Sequence, residues 1–185
     1  MEKKPIHIEN TVFVVIDFET TGLSVKYGDD ICEVAAVRLL NGEITDKYSK
    51  LVNPGCPISP GASAVNNITD DMVKSAPRFK EICEEFLSFI GTGVIVGHHL
   101  PFDMSFLNAK LSQLRKPLLE NDTLDTLRLA RKTWPHLPSF KLPDLRRQFS
   151  IEIKDEHRAL GDVVATAALL CKILENYKEK GKKEI

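Results

Sequence analysis

No run of apolar residues in this chain approaches the roughly 18 that a membrane-crossing helix needs. Val12 to Ile16 and Val163 to Leu170 are among the longest, and both fall far short, so no membrane partner is expected. A secretory leader is not expected either. Met1-Glu2-Lys3-Lys4-Pro5 supplies two lysines, but His7, Glu9 and Asn10 stand where the leader's apolar centre would be. The four cysteines, Cys32, Cys56, Cys83 and Cys171, are widely separated and form no CxxC pair. That argues against a zinc site or a redox motif and fits reduced thiols in a cytoplasm. A formal net charge of -1 gives no global basic signal, which counts against a protein that only binds nucleic acid. Internal repeats and low-complexity tracts are missing apart from a lysine-rich end, Lys178 to Lys183, read as a solvated terminus.

What the chain does have is enough apolar residue for one core: 43% of 185 residues points to a single domain. The β-branched run Thr11 to Ile16, closed by Thr20-Thr21-Gly22, predicts a strand buried on both faces. Ile31 to Leu40, the turn dipeptide Asn41-Gly42 and Glu43 to Val52 predict two further strands in an antiparallel meander. Helix-start signals follow at Ser59-Pro60 and Thr69-Asp70-Asp71, and Arg78 to Ile90 carries apolar residues at helical spacing. Gly93 to Gly97 predicts a short buried strand and Pro101 to Leu114 a helix. Further helices are predicted from Asp125, from Pro143 to Phe149, and from Ala159 to Lys178. The order of elements makes an α/β domain with a mixed sheet. Residues 11–178 form that domain, between an N-terminal extension over 1–10 and the lysine-rich end over 179–185.

Asp17 and Glu19 close the first strand one residue apart, so the two-residue period projects both carboxylates from one face and Phe18 from the other. Side by side, two acids repel unless a cation or a shared proton relieves them. Oxygen-rich sites of this kind suit Mg²⁺ or Mn²⁺. The pair reads equally as a polar strand end emerging into solvent. Asp103 falls early in a predicted helix, where the helix dipole favours an ordinary first-turn acid as much as a functional one. Asp162 differs, because it interrupts the small, apolar start of the last helix, Gly161 to Leu170, where an acid has little structural reason to exist. His157, five residues earlier, suits a solvated cap or a general base.

Three segments resolve these alternatives together. Val14 to Leu23 (VVIDFETTGL), Gly97 to Leu107 (GHHLPFDMSFL) and His157 to Asp162 (HRALGD) resemble, in order, the three motifs of the DEDDh 3'→5' exonuclease family. Within that family they are most similar to the proofreading exonucleases of bacterial DNA polymerase III. The stretches Leu51 to Gly55, Ile68 to Val73 and Asp125 to Arg131 are similar as well, and the likeness covers roughly residues 11 to 174. Five unconnected functional positions match at once, which makes it specific.

The resemblance implies a ribonuclease H-like fold, a mixed five-stranded sheet flanked by helices, with the acids gathered at one sheet edge. It implies two divalent cations, Mg²⁺ or Mn²⁺. Asp17, Glu19 and Asp162 would hold one of them, Asp17 would also touch the second, and Asp103 would act largely through water. His157 would be the general base. Thr20, Thr21, Gly22, Leu23, Asn66 and Phe102 match positions beside the terminal nucleotide. The implied substrates are single-stranded or frayed 3' ends of DNA, with RNA 3' ends as the alternative, and a replicative polymerase is the implied partner. An enzyme that grips a chain end through metal ions needs less basic surface than a binding module, and all four acids and the histidine are present. Departures occur at His99 and Pro101, and at Asn66-Asn67, which stands where the family often has His-Gly. Asn67 suits the left-handed conformation that glycine would supply.

Overall fold

The computed structural model describes residues 5–153 and 159–185. Its centre is β1 (Val12–Thr20), whose alternating side chains feed two separate cores. Phe13 and Val15 point to one face, while Val14, Ile16 and Phe18 point to the other. β2 (Ile31–Leu40) pairs antiparallel with β1, and β3 (Glu43–Leu51) antiparallel with β2. The tight turn between β2 and β3 forms where Asn41-Gly42 predicts it, with φ of 50° at Asn41 and 90° at Gly42.

The chain then passes through short helices α1 (Pro60–Asn66) and α2 (Asp70–Val73) into α3 (Phe79–Ile90). β4 (Val94–Gly97) joins the free edge of β1 in parallel, and α4 (Pro101–Gln113) follows it. A fifth strand that the residue pattern does not announce, β5 (Thr123–Asp125), adds parallel to β4. α5 (Thr126–Thr133), α6 (Leu142–Gln148) and α7 (Ala159–Glu179) complete the layers. The sheet order is β3-β2-β1-β4-β5, mixed and five-stranded as expected.

Each face is covered by its own helices. Phe79, Ile82, Phe86 and Ile90 of α3 and Phe106, Leu107 and Leu111 of α4 pack against Val14, Ile16 and Phe18. On the opposite face Val163, Ala167, Leu170 and Ile173 of α7 meet Phe13, Val15, Ala35 and Val37. Full burial of such side chains contributes about 1.5–3 kcal/mol each, so the two cores fix the strand faces independently. Trp134 and Phe149 sit with ring centroids 4.3 Å apart against the α7 core.

The lysine-rich end, expected as a solvated terminus, pairs with the N-terminal segment. Ile8 N–H donates to Lys183 O at 2.9 Å and Ile185 N–H to Ile6 O at 3.0 Å, so the two segments form a small antiparallel bridge. Apolar burial drives the pairing: Ile8 is buried, and Ile6 and Ile185 pack on the α7 core. Among the described residues no helix is long and apolar enough to cross a membrane.

Candidate active site

β1 has an antiparallel neighbour on one side and a parallel one on the other. In open α/β sheets such a reversal leaves a crevice beyond the carboxyl ends of the strands. β4 pairs with β1 only over Phe13 to Val15, so the last residues of β1 extend past it. A cleft of about 640 Å³ opens there.

Strand alternation puts Asp17 and Glu19 on the α7 face of β1, and the first turn of α7 brings Asp162 to them. One carboxylate oxygen from each of Asp17, Glu19 and Asp162 lies within 4.8 Å of the others. The apolar residues around Asp162 bury its helix against the sheet and leave the half-buried acid facing the cleft. Asp103, in the first turn of α4, arrives from the other face. It is 3% exposed, and its Oδ1 accepts a 3.0 Å hydrogen bond from Phe18 N–H, a residue beyond the β1–β4 pairing. All four acids line the cleft, but Asp103 stands outside the close group of three.

A fifth acid escapes the sequence reading. Glu33 on β2 is the register partner of Glu19, is 3% exposed, and reaches the amide of Ala159 at the start of α7 at 3.4 Å. The electrostatic consequence falls on Asp17. Burial, then the charges of Asp103, Glu19, Asp162 and Glu33, push its carboxyl well above the usual carboxylate range. Burial raises Asp103 to about 7 against the opposing hydrogen bond from Phe18. Asp162 is also raised by burial, with Arg146 pulling it back. Arg146 of α6 lines the cleft, the one lysine or arginine among its described lining residues.

Such a set favours a hard cation. Three carboxylates are held close by two rigid elements, no histidine or cysteine joins the group among the described residues, and the acids penalise one another's ionisation. Oxygen-only donors of this kind fit Mg²⁺ or Mn²⁺, and neutralisation would relieve the repulsion.

The surrounding residues divide into those that face the cleft and those that shape it. Phe102 and Asn66 line it. Asn66 is nevertheless 4% exposed, and its amide is used internally: Nδ2 donates to Thr20 O at 3.3 Å and Oδ1 accepts from Ile68 N–H at 3.0 Å. Asn67 takes the left-handed conformation, φ 57°, that closes α1. Thr20, Thr21, Gly22 and Leu23 are not among the lining residues. Thr20 Oγ1 donates to Gly22 O at 2.6 Å, and Thr21 Oγ1 accepts from Asp30 N–H at 3.0 Å, so both hydroxyls brace the turn after β1. A Cβ on Gly22 would overlap the Asp29 carboxylate, while Leu23 is 86% exposed. His157 lies outside the described residues.

His98 and His99, between β4 and α4, form the other wall. His99 adopts φ 72° and its N–H donates to Asp125 Oδ1 at 3.0 Å. The same oxygen caps α5 by accepting from Leu127 N–H at 3.0 Å, so Asp125 ties the two turns together. His98 Nε2 is 2.8 Å from Phe140 O, which can only accept, so that nitrogen carries the proton. Burial lowers the His98 pKa and keeps the ring neutral. Its Nδ1 lies 3.0 Å from the Thr126 hydroxyl, whose one proton is shared between that nitrogen and Gly97 O, 3.1 Å away.

Asp103 supplies a stability prediction. A carboxylic acid near 4 in the unfolded chain and about 7 in the fold holds more protons when folded, so its contribution is fully present at low pH and is lost as pH rises toward 7. In EDTA, the melting temperature of Asp103→Asn minus that of the wild type should therefore increase between about pH 5 and pH 8. A difference that stays flat across that range would contradict the burial assigned to this acid.

Comparison with known proteins converges on one family. Residues 14–170 match the RNase_T family, described as exonuclease. The PolC-type DNA polymerase III of Bacillus subtilis (strain 168) is 41% identical over 177 residues, covering 94% of this chain and 12% of the polymerase. That of Caldanaerobacter subterraneus is 40% identical over 173 residues, again with 94% and 12% covered. The chain thus spans about an eighth of the length of these curated relatives. A structure of exonuclease X in complex with 5' overhanging duplex DNA shares the fold with a TM-score of 0.72 and 29% identity, covering 91% of this chain and 93% of that one. A product-bound exonuclease I matches at TM-score 0.78 and 21% identity, covering 93% and 45%, a likeness of fold.

Proposed function

The chain belongs to the RNase_T exonuclease family, and on that basis we propose that it removes nucleotides one at a time from the 3' ends of single-stranded or frayed DNA. The observation that carries the reading is the convergence of Asp17, Glu19 and Asp162 within 4.8 Å at the crevice beyond β1. Asp17, Glu19 and Asp162 would hold divalent cations, two of them by analogy with the family, with Asp103 acting through water. Bound there, Mg²⁺ or Mn²⁺ would supply Lewis-acid stabilisation of the charge developing on the phosphodiester, worth several kcal/mol.

The chain's own residues do the rest. The cleft is lined by Val65, Asn66 and Asn67 from α1 and its C-terminal cap, and by His98, His99 and Phe102 from the turn after β4 and the start of α4. The last nucleotide enters between these two segments, with Asn66 and the turn of Thr20 to Leu23 bracing one side and Phe102 beside the base. Arg146 faces the phosphate from α6. Water attacks phosphorus in line, its proton passes to His157, and the P–O3' bond breaks. A nucleoside 5'-monophosphate leaves, and the shortened strand keeps its 3' oxygen, which takes a proton from solvent. We propose that this chemistry serves DNA replication, beside a replicative polymerase in the cytoplasm; the likeness to PolC-type DNA polymerase III supports the reading.

The test is digestion of 5'-labelled single-stranded DNA and RNA of one sequence with Mg²⁺ or Mn²⁺. A ladder shortening by single nucleotides on the DNA is the expected result. No cleavage of DNA with either metal, or cleavage at internal positions first, would overturn the proposal.

A further inference from the structure

A second groove adjoins the cleft, and His98 and His99 line both. Its sides are α5 and the segment from Pro138 to Leu142, and it carries Arg128, Arg131 and Lys141. This is a local concentration of positive charge on a chain whose net charge is -1. Arg131 and Lys141 are exposed, and neither forms an ion pair among the described residues. Arg131 is instead held over the Phe140 ring, 5.7 Å from its centroid, which orients the guanidinium without neutralising it. The groove's acid, Asp125, is internally engaged: Oδ1 takes the His99 and Leu127 amides, and Oδ2 is 3.8 Å from Arg128 Nε. His98 holds the groove in place, since its Nε2 bonds Phe140 O while its Nδ1 reaches α5 at Thr126.

We propose that this groove is the track for the strand upstream of the reacting nucleotide, with Arg131 and Lys141 holding successive backbone phosphates. The inference rests on the reading of the cleft as an exonuclease site. A strand whose last nucleotide fills the cleft continues past His98 and His99, which line both the cleft and the groove. The cations there meet the backbone and leave the bases unread, so grip depends on strand length and salt rather than sequence. A chain with almost no net charge thereby holds a polyanion through one local track.

The experiment compares the full chain with an Arg131→Gln/Lys141→Gln double variant and with a Lys80→Gln/Lys172→Gln control that removes the same charge from α3 and α7. KM is measured in Mn²⁺ at several KCl concentrations on a 20-nucleotide single strand and on thymidine 5'-p-nitrophenyl phosphate, which offers one phosphodiester and no upstream strand. Single-strand binding loses about 0.7 in the slope of log K against log salt for each phosphate contact removed. The track variant should therefore flatten the slope by about 1.4 and raise KM on the strand several-fold more than KM on the ester. The control should keep the wild-type slope. An unchanged slope in the track variant, equal slopes in the two double variants, or equal KM changes on strand and ester would each overturn the track. Failure of the wild type to hydrolyse either substrate would instead overturn the exonuclease reading on which it rests.

Discussion

Asp17→Ala is expected to abolish nucleotide release and, in EDTA, to raise the melting temperature. Both effects follow from one crowded carboxylate. Asp17 is flanked by four other acids whose charges, added to burial, oppose its ionisation. Removing it lowers that repulsion, and neither hydrophobic core is touched, because Phe13 and Val15 on its own face lie earlier in β1. Catalysis loses the acid expected to be shared by both cations. If cation binding stabilises the transition state by several kcal/mol, at about 1.4 kcal/mol per factor of ten the rate falls by about 10³ or more. Mononucleotide release by a repurified variant, together with calorimetry in EDTA and in Mn²⁺, tests both halves. Nucleolysis near the wild-type rate would remove Asp17 from the site. A melting temperature below the wild type in EDTA would mean that the acid supports the fold instead of straining it.

How much of this site the sequence discloses depends on what sets each residue's direction. Asp17 and Glu19 are legible because alternation along one strand fixes their common face without reference to the rest of the chain. Asp162 is legible because the apolar helix around it offers no other reason for an acid. Glu33 is not, because on β2 it looks like one polar residue among apolar ones, and only the pairing Glu19↔Glu33 turns it toward the cluster. Arg146 is hidden for a similar reason. Of two adjacent arginines on a seven-residue helix, the phase set by buried Leu145 sends Arg146 to the cleft, while Arg147 pairs with Asp144. β5 is too short, at three residues, to show a period. Thr20 and Thr21 show the opposite limit. Their place after the acidic pair marks them for substrate, yet their hydroxyls are committed to the turn. His98 is passed over beside His99 because its partners, Thr126 and Phe140, are brought to it only by the fold.

His157→Ala should cut turnover by about 10² to 10⁴, the usual contribution of a general base, while leaving metal affinity and single-strand binding nearly intact. The reasoning separates roles by chemistry. The oxygen donors that would hold the cations come from β1 and α7, and His157 stands two residues before Ala159, the first residue of α7, and five before Asp162, close in sequence to the cluster without being needed to complete it. An imidazole that accepts the water's proton must be neutral, so the wild-type rate should fall as pH drops through the imidazole's pKa. Carboxylate titration could produce a similar acid limb, because Asp103 titrates at about 7 and a protonated acid holds a cation poorly. The two causes respond differently to metal. A limb due to the acids shifts to lower pH as Mn²⁺ is raised, since the cation competes with protons for the same oxygens. A limb due to His157 stays in place at saturating Mn²⁺ and disappears in His157→Ala. Turnover is therefore measured from pH 5 to pH 9 at saturating Mn²⁺ for both proteins, with metal affinity followed by titration calorimetry. An unchanged rate in the variant would remove His157 from the chemistry, and a loss of metal affinity matching the loss of activity would make it a ligand instead of a base.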